Sequence, residues 1–279
     1  MERIKQAIEK VKAQQPRDAG LLSRSRPGNQ VSRSALRPSQ SRDEVGDVSY
    51  ENTRVAPLKS EHLEKNRIVA LNKSDPKSIA FDLLRTHVLQ KMEENGWRTL
   101  AIVSATPEAG KTVVAINLAM SIAQQPNKSA LLVDFDLRRP KIGAYLGLDM
   151  EKSMNDLLDD TAELPDVLVN PGIPRLVVLP TKKPVKKASE TLSSAKVENL
   201  IRDMRDRYES RIVIFDLPPL LAADDAIVLM PLIDCVLMVV GNGMSSKREI
   251  ENGLRHIPSA KLVGTILNKA DAELTPYYY

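Results

Sequence analysis

The chain has 279 residues, 42% of them hydrophobic, and a formal net charge of +4, which suits one large α/β domain with a tail or two small domains. A single cysteine, Cys235, and three scattered histidines, His62, His87 and His256, exclude a disulfide framework, a cysteine-rich metal site and a histidine ligand set. The positive excess is concentrated early, in Arg17, Arg24, Arg26, Arg33, Arg37 and Arg42, and reads as a solvated linker, with no nucleic-acid partner expected.

Residues 1–15 place Ile4, Ile8 and Val11 on one face, the pattern of a short amphipathic helix. Residues 16–56, rich in Ser, Arg, Pro and Gly, are expected to form a disordered basic linker. A folded domain is expected over 57–274, followed by a tail at 275–279. Pro76 opens a helix that runs to Glu94, with Ile79, Leu83, Leu84, Val88, Leu89 and Met92 facing inward. Apolar runs predict strands at 99–104, 130–134, 175–179, 211–216, 234–240 and 261–267. Helices are predicted at 111–124, 188–208, 222–230 and 246–256, with shorter ones between 141 and 169. The strands are continuous apolar runs, as in a mostly parallel sheet covered by helices on both faces. No signal-peptide core opens the chain, and its longest apolar stretch, Ala226 to Val240, is broken by Pro231 and Asp234. A cytoplasmic protein that meets a membrane only through a partner is therefore expected.

The strand at 99–104 runs into Ala105-Thr106-Pro107-Glu108-Ala109-Gly110-Lys111-Thr112 and then a helix. Strand, small-residue loop and helix in that order make a P-loop. Its backbone N–H groups and the helix N-terminus favour a phosphate. Pro107, Glu108, Ala109, Gly110, Lys111, Thr112 and Val113 form the expected nucleotide loop. Lys111 reaches the β/γ-phosphates and the Thr112 hydroxyl holds Mg²⁺.

Acids end two further strands. Asp134 and Asp136, two apart, would leave one strand face about 7 Å apart. Two carboxylates at that spacing repel by roughly 2 kcal/mol, which a Mg²⁺–phosphate centre would reverse. One could hold a Mg²⁺-bound water while the other accepts a proton from an attacking hydroxyl. Asp216 ends the run Arg211-Ile-Val-Ile-Phe and is read as a second Mg²⁺ contact, with Asp224 and Asp225 capping the next helix. The metal shell is thus expected from Thr112, Asp136 and Asp216. Asn268, in Asn268-Lys269-Ala-Asp271, is expected to touch the nucleotide base. Half of the chain's six tyrosines are its last residues, Tyr277, Tyr278 and Tyr279. Packing does not explain aromatics on a chain end, so they read as accessible phosphate acceptors. From Asn268 the chain reaches at most about 35–40 Å.

Residues from about Pro76 to Tyr279 resemble the bacterial tyrosine kinases of exopolysaccharide and capsule loci, P-loop relatives of Min/Par-type ATPases. The motifs that carry this are Ala105–Thr112 as Walker A, Val133-Asp134-Phe-Asp136-Leu-Arg138-Arg139-Pro140 as Walker A′, and Phe215-Asp216-Leu-Pro218-Pro219 as Walker B. Phe81-Asp-Leu-Leu-Arg85-Thr86, Glu190-Thr-Leu-Ser-Ser194 and the tyrosine tail add to them. The resemblance implies an ATP- and Mg²⁺-dependent kinase that phosphorylates its own tyrosine tail. Lys111, Asp134, Asp136 and Asp216 would be catalytic, and Arg138 a nucleotide contact. It also implies a homo-oligomer, a separate membrane polysaccharide co-polymerase as activator, and a cognate tyrosine phosphatase. The alternative is a Min/Par-like ATP-binding switch or scaffold without tyrosine phosphorylation. The family's usual Pro-Gly-x-Gly-Lys is here Pro107-Glu108-Ala109-Gly110-Lys111, which removes backbone freedom and adds a negative charge. Its oligomerisation helix typically carries a Glu and two Arg, where this chain has Ile79, Asp82 and Arg85.

Overall fold

The computed structural model describes residues 53–270. The expected helix at 1–15, nearly all of the linker and the tyrosine tail lie outside the described residues. The elements in chain order are β1 (Arg54–Val55), α1 (Ser60–Lys65), α2 (Pro76–Asn95), β2 (Thr99–Val103), α3 (Lys111–Ala123), β3 (Ser129–Asp134), α4 (Ile142–Leu146), α5 (Met154–Leu158), α6 (Leu164–Val167), β4 (Val169–Asn170), β5 (Leu176–Leu179), α7 (Ala188–Leu192), α8 (Ala195–Asp206), β6 (Arg211–Asp216), α9 (Asp225–Leu229), β7 (Cys235–Gly241), α10 (Lys247–Leu254) and β8 (Leu262–Asn268).

The strands form one sheet in the order β1-β4-β5-β3-β6-β2-β7-β8. Every pairing is parallel except β4 with β5. Successive residues of the central strands enter opposite cores. Leu100, Ile102, Leu132, Ile214 and Leu237 pack on the face covered by α2 and α3. Ala101, Val103, Leu131, Val133, Val213, Phe215 and Met238 pack on the other face with Leu200, Ile201 and Met204 of α8. That two-sided burial is why these strands read as unbroken apolar runs. Phe135 and Phe215 stack at 5.3 Å just behind the strand ends, which stiffens the floor of the site.

Several expected boundaries move for identifiable reasons. The helix expected at 188–208 is two helices, because the Ser194 side chain accepts from Val197 N and starts α8 afresh. The helix expected at 222–230 is confined to α9 and continues as a 3₁₀ turn, Met230–Leu232. The short strands β1 and β4 were not foreseen, since two residues carry no periodicity. β1 brings residues 54–55 into the sheet, ahead of the expected domain start at 57.

The inward face assigned to α2 needs correction. Asp75 caps the helix through Lys77 N, and Gly96 ends it at φ +67°. Val88 and Met92 are buried, but Ile79 and Leu83 are 58% and 59% exposed. The face turned to α3 runs through Ser78, Asp82, Arg85, Val88 and Met92. Ser121 Oγ of α3 donates to Asp82 Oδ1 at 2.8 Å, and Arg85 Nη1 donates to Ser121 Oγ at 3.1 Å. A polar pair thus meets α3 beside Val88 and Met92, while Leu84 and Leu89 pack half-buried against the core as expected. Burial works to raise the Asp82 pKa, but hydrogen bonds from Lys73 and Ser121 and the nearby cations bring it below its ordinary value.

Candidate active site

The adjacency β3-β6-β2 sets three strand ends side by side. Asp216 lies opposite Ile102 on one side and opposite Asp134 on the other. From β2 the chain enters the loop 104–110 and then α3. Gly110 stands at the helix N-cap with φ +90°, a region that glycine occupies without strain. The Gly110 carbonyl accepts from Val114 N at 3.0 Å. Glu108 takes φ +63° although it carries a Cβ, and its side chain is exposed. Ala109 is fully buried and Pro107 is exposed. Lys111 is only 7% exposed, while Thr112 and Val113 are half-buried.

Thr112 Oγ1 donates to Asp216 Oδ2 at 2.6 Å. Asp134 Oδ2 accepts from Lys141 N at 3.0 Å and from Ile142 N at 2.9 Å, so this carboxylate also closes the turn into α4. The remaining oxygens, Asp134 Oδ1 and Asp216 Oδ1, are buried without a hydrogen-bond partner. Such orphaned acceptors are costly. Asp136 lies beyond the end of β3, so the strand alternation expected to align it with Asp134 does not apply. Its Oδ1 accepts from Arg139 N at 3.0 Å.

Burial raises the pKa of Asp134 well above the carboxylate range, and the facing charge of Asp216 adds to this. Burial likewise raises Asp216 to about 6, although Lys111 and the Thr112 hydroxyl counteract it. Asp136 is raised by burial and held back by Lys111. The charge of Asp136 thus acts on both Asp134 and Asp216, and that of Lys111 on Asp136 and Asp216, at the carboxyl ends of the strands, where ligands bind in open α/β sheets.

The donor set fits Mg²⁺ of one particular kind. Among the described residues no three His, Cys, Asp or Glu side chains are grouped to hold an ion by themselves. Magnesium prefers one or two carboxylates plus phosphate oxygens and water over an all-protein cage. Two orphaned carboxylate oxygens beside the Thr112 hydroxyl are such a partial set. Of the expected shell of Thr112, Asp136 and Asp216, Thr112 and Asp216 are hydrogen-bonded to each other, while Asp136 Oδ1 is engaged by Arg139 N.

Two expected nucleotide contacts have protein partners. Arg138 forms a bidentate pair with Asp225, Nε to Oδ2 at 2.7 Å and Nη2 to Oδ1 at 2.9 Å. Asp225 is fully buried. Asp225 is thus the anchor of the Arg138 loop rather than a helix cap, and Asp224 makes no side-chain cap. The Asp224-Asp225 pair after the Pro218-Pro219 turn gave no signal of this. Asn268 Nδ2 donates to Ala109 O at 2.9 Å, so its amide meets the P-loop itself. Gly241 and Ser245, which also touch the loop, carried no motif.

A model of the AAA domain matches residues 97–261. The chain is 30% identical over 204 residues to the tyrosine-protein kinase ptk of Acinetobacter johnsonii, covering 72% of this chain and 27% of that protein. It is 27% identical over 200 residues to the tyrosine-protein kinase CpsD of Streptococcus agalactiae, covering 71% of this chain and 85% of that protein. The chain thus spans about a quarter of the length of the first relative and most of the second. The solved kinase domain of the Escherichia coli tyrosine kinase ETK superposes with a TM-score of 0.68 at 28% identity, covering 81% of this chain and 93% of that one. The chain belongs to the AAA-domain family of P-loop proteins, within the group formed by the bacterial tyrosine-kinase domains.

Proposed function

We propose that the chain is an ATP-dependent protein-tyrosine autokinase that transfers a γ-phosphate to Tyr277, Tyr278 and Tyr279 and so regulates exopolysaccharide synthesis or export. The observation that carries this reading is the pairing of Asp134 and Asp216 across β3 and β6, each with one orphaned buried oxygen, next to Lys111 and Thr112. The names of the relatives support the acceptor chemistry.

In this reading the loop amides and Lys111 bind the triphosphate. Thr112, Asp136 and Asp216 would hold Mg²⁺, which would neutralise charge at the γ-phosphate. Asp134, whose unpartnered oxygen is buried and whose proton affinity is raised by that burial and by Asp216, takes the proton from the attacking tyrosine hydroxyl. Arg138 holds the shape of the A′ loop through Asp225. No helix among the described residues is long and apolar enough to cross a membrane. The proposed activator is a separate membrane polysaccharide co-polymerase, opposed by a tyrosine phosphatase. The proposed location is cytoplasmic, at the inner membrane through that partner, and the proposed assembly is a homo-oligomer.

The test is mass spectrometry of the C-terminal peptide after incubation with Mg·ATP and the co-polymerase encoded beside it. Phosphate on the three tyrosines that disappears in Lys111→Ala is expected. A tail that stays unmodified, together with partner binding that still depends on ATP after removal of residues 275–279, would establish the nucleotide switch instead.

A further inference from the structure

The P-loop of this chain has an unusual sequence for its shape. Two left-handed residues, Glu108 at φ +63° and Gly110 at φ +90°, flank Ala109. Only the second is glycine. A loop with one strained residue needs outside support to keep a single conformation.

That support comes from the β7–α10–β8 end of the sheet. A Cβ on Gly241 would lie 3.1 Å from Ala109 Cα, and a Cβ on Gly253 of α10 would lie 3.0 Å from Ala105 Cβ. The Thr106 and Ser245 hydroxyls are hydrogen-bonded. Asn268, the last residue of β8, donates from Nδ2 to Ala109 O. A Cβ on Gly110 would overlap that same Nδ2. The two left-handed turns and the absent Cβ at 110 thus bring the Ala109 carbonyl and the Asn268 amide together.

In a trans peptide the carbonyl oxygen and the next N–H point in opposite directions. Holding Ala109 O against Asn268 therefore turns Gly110 N–H away from β8. Rotation of this one peptide unit, which a glycine at 110 permits, would turn the donor away from its ligand. We infer that Asn268 is a positioning residue for the triphosphate: its amide holds the Ala109–Gly110 peptide so that Gly110 N–H is presented to the phosphates, and it does not read the base. The inference rests on the reading of the loop as a triphosphate site.

The experiment compares the binding of Mg·ATP, Mg·GTP and magnesium tripolyphosphate to the wild-type chain, Asn268→Ala, Asn268→Asp and Asn268→Gln by calorimetry. Asn268→Asp removes the donor at nearly constant size, and Asn268→Gln retains an amide. Thermal unfolding without ligand checks that each variant is folded. Loss of one hydrogen bond that orders the loop predicts a drop of about five- to tenfold in affinity for all three ligands in Ala, and a larger drop in Asp, whose carboxylate adds a negative charge beside the polyanion. The ATP-to-GTP ratio is expected to stay unchanged, and Gln to recover part of the loss. A loss for ATP that leaves tripolyphosphate unaffected would return Asn268 to the base and overturn the inference. So would folded variants that bind all three ligands as the wild type does. A wild-type chain that binds none of the three would overturn the triphosphate reading itself, and the inference with it.

Discussion

Thr112 Oγ1 and Asp216 Oδ2, 104 residues apart in sequence, share a 2.6 Å hydrogen bond. The bond ties the first turn of α3 to the end of β6 and leaves Asp216 Oδ1 buried without a partner. Both groups suit a Mg²⁺ shell, and in the proposed reading their mutual bond would keep these two side chains oriented ahead of the ion.

Thr112→Val should therefore separate metal-dependent from metal-independent binding. Mg·ATP affinity is expected to fall by at least tenfold, while binding of ATP in EDTA changes little, because Lys111 and the loop amides are intact. Thr112→Ser keeps the hydroxyl and should behave like the wild type. Calorimetry with and without Mg²⁺ reads the difference directly. Equal losses in both conditions would remove Thr112 from the metal shell.

The raised carboxylate at 216 makes a prediction about pH. Its pKa is near 6 in the folded chain against 3.8 as a free side chain. The folded state therefore holds this proton more tightly than the unfolded state does. Below about pH 4 both states are protonated and the stabilisation is complete. As pH rises from there through 6 the unfolded state has lost the proton while the folded state still carries it, so stability falls. A shift of this size corresponds to roughly 3 kcal/mol. Asp134 and Asp136 shift in the same direction and add to the slope. Urea unfolding in EDTA should give a lower free energy at pH 7.5 than at pH 5, and Asp216→Asn should flatten the profile. The same variant is expected to be more stable than the wild type at pH 7.5 and unable to use Mg²⁺. A profile that rises with pH over this interval would contradict the burial of these acids.

How much of this was legible beforehand depended on whether the chemistry was local. The P-loop, the parallel sheet and the acids at 134 and 216 were readable because a strand, its terminal carboxylate and the following turn are contiguous in sequence. Asp136 was misplaced relative to Asp134 because β3 ends at Asp134, two residues short of what the alternation needs. Ile79 and Leu83 were assigned inward because nothing in a single helix reveals that Asp82 and Arg85 have a polar partner, Ser121, waiting on α3. The partners of Arg138 and Asn268 lie 87 and 159 residues away, a distance over which periodicity carries no information.

The Arg138–Asp225 pair should respond asymmetrically. Asp225 is fully buried, whereas the Arg138 side chain is 47% exposed. Arg138→Ala leaves a buried carboxylate without its cation, at a cost of about 1–3 kcal/mol once screening on the exposed side is allowed for. Asp225→Asn leaves only a half-solvated guanidinium and should cost less than 1 kcal/mol. The double variant should be no less stable than Arg138→Ala alone. Denaturant unfolding of the three chains closes the cycle, and equal costs for the two single variants would contradict the burial asymmetry.

Glu108 offers the last test, because its backbone and its charge can be separated. A non-glycine residue at φ +63° carries a strain of about 1 kcal/mol. Glycine relieves this but adds freedom to the unfolded chain, at about 0.4–1 kcal/mol, so the stability of Glu108→Gly should change by less than about 1 kcal/mol. Binding behaves differently. The exposed carboxylate stands in a loop whose ligand is a polyanion, and its removal should tighten Mg·ATP about three- to fivefold at low ionic strength. Glu108→Gln isolates the charge: its gain should match that of Glu108→Gly at low salt and fade by about 0.5 M, where the screening length is shorter than the loop. Any gain that belongs to Gly alone and survives high salt measures the backbone contribution. If neither substitution improves binding, the carboxylate points away from the phosphates, and the departure of this loop from the family's glycine has no electrostatic consequence.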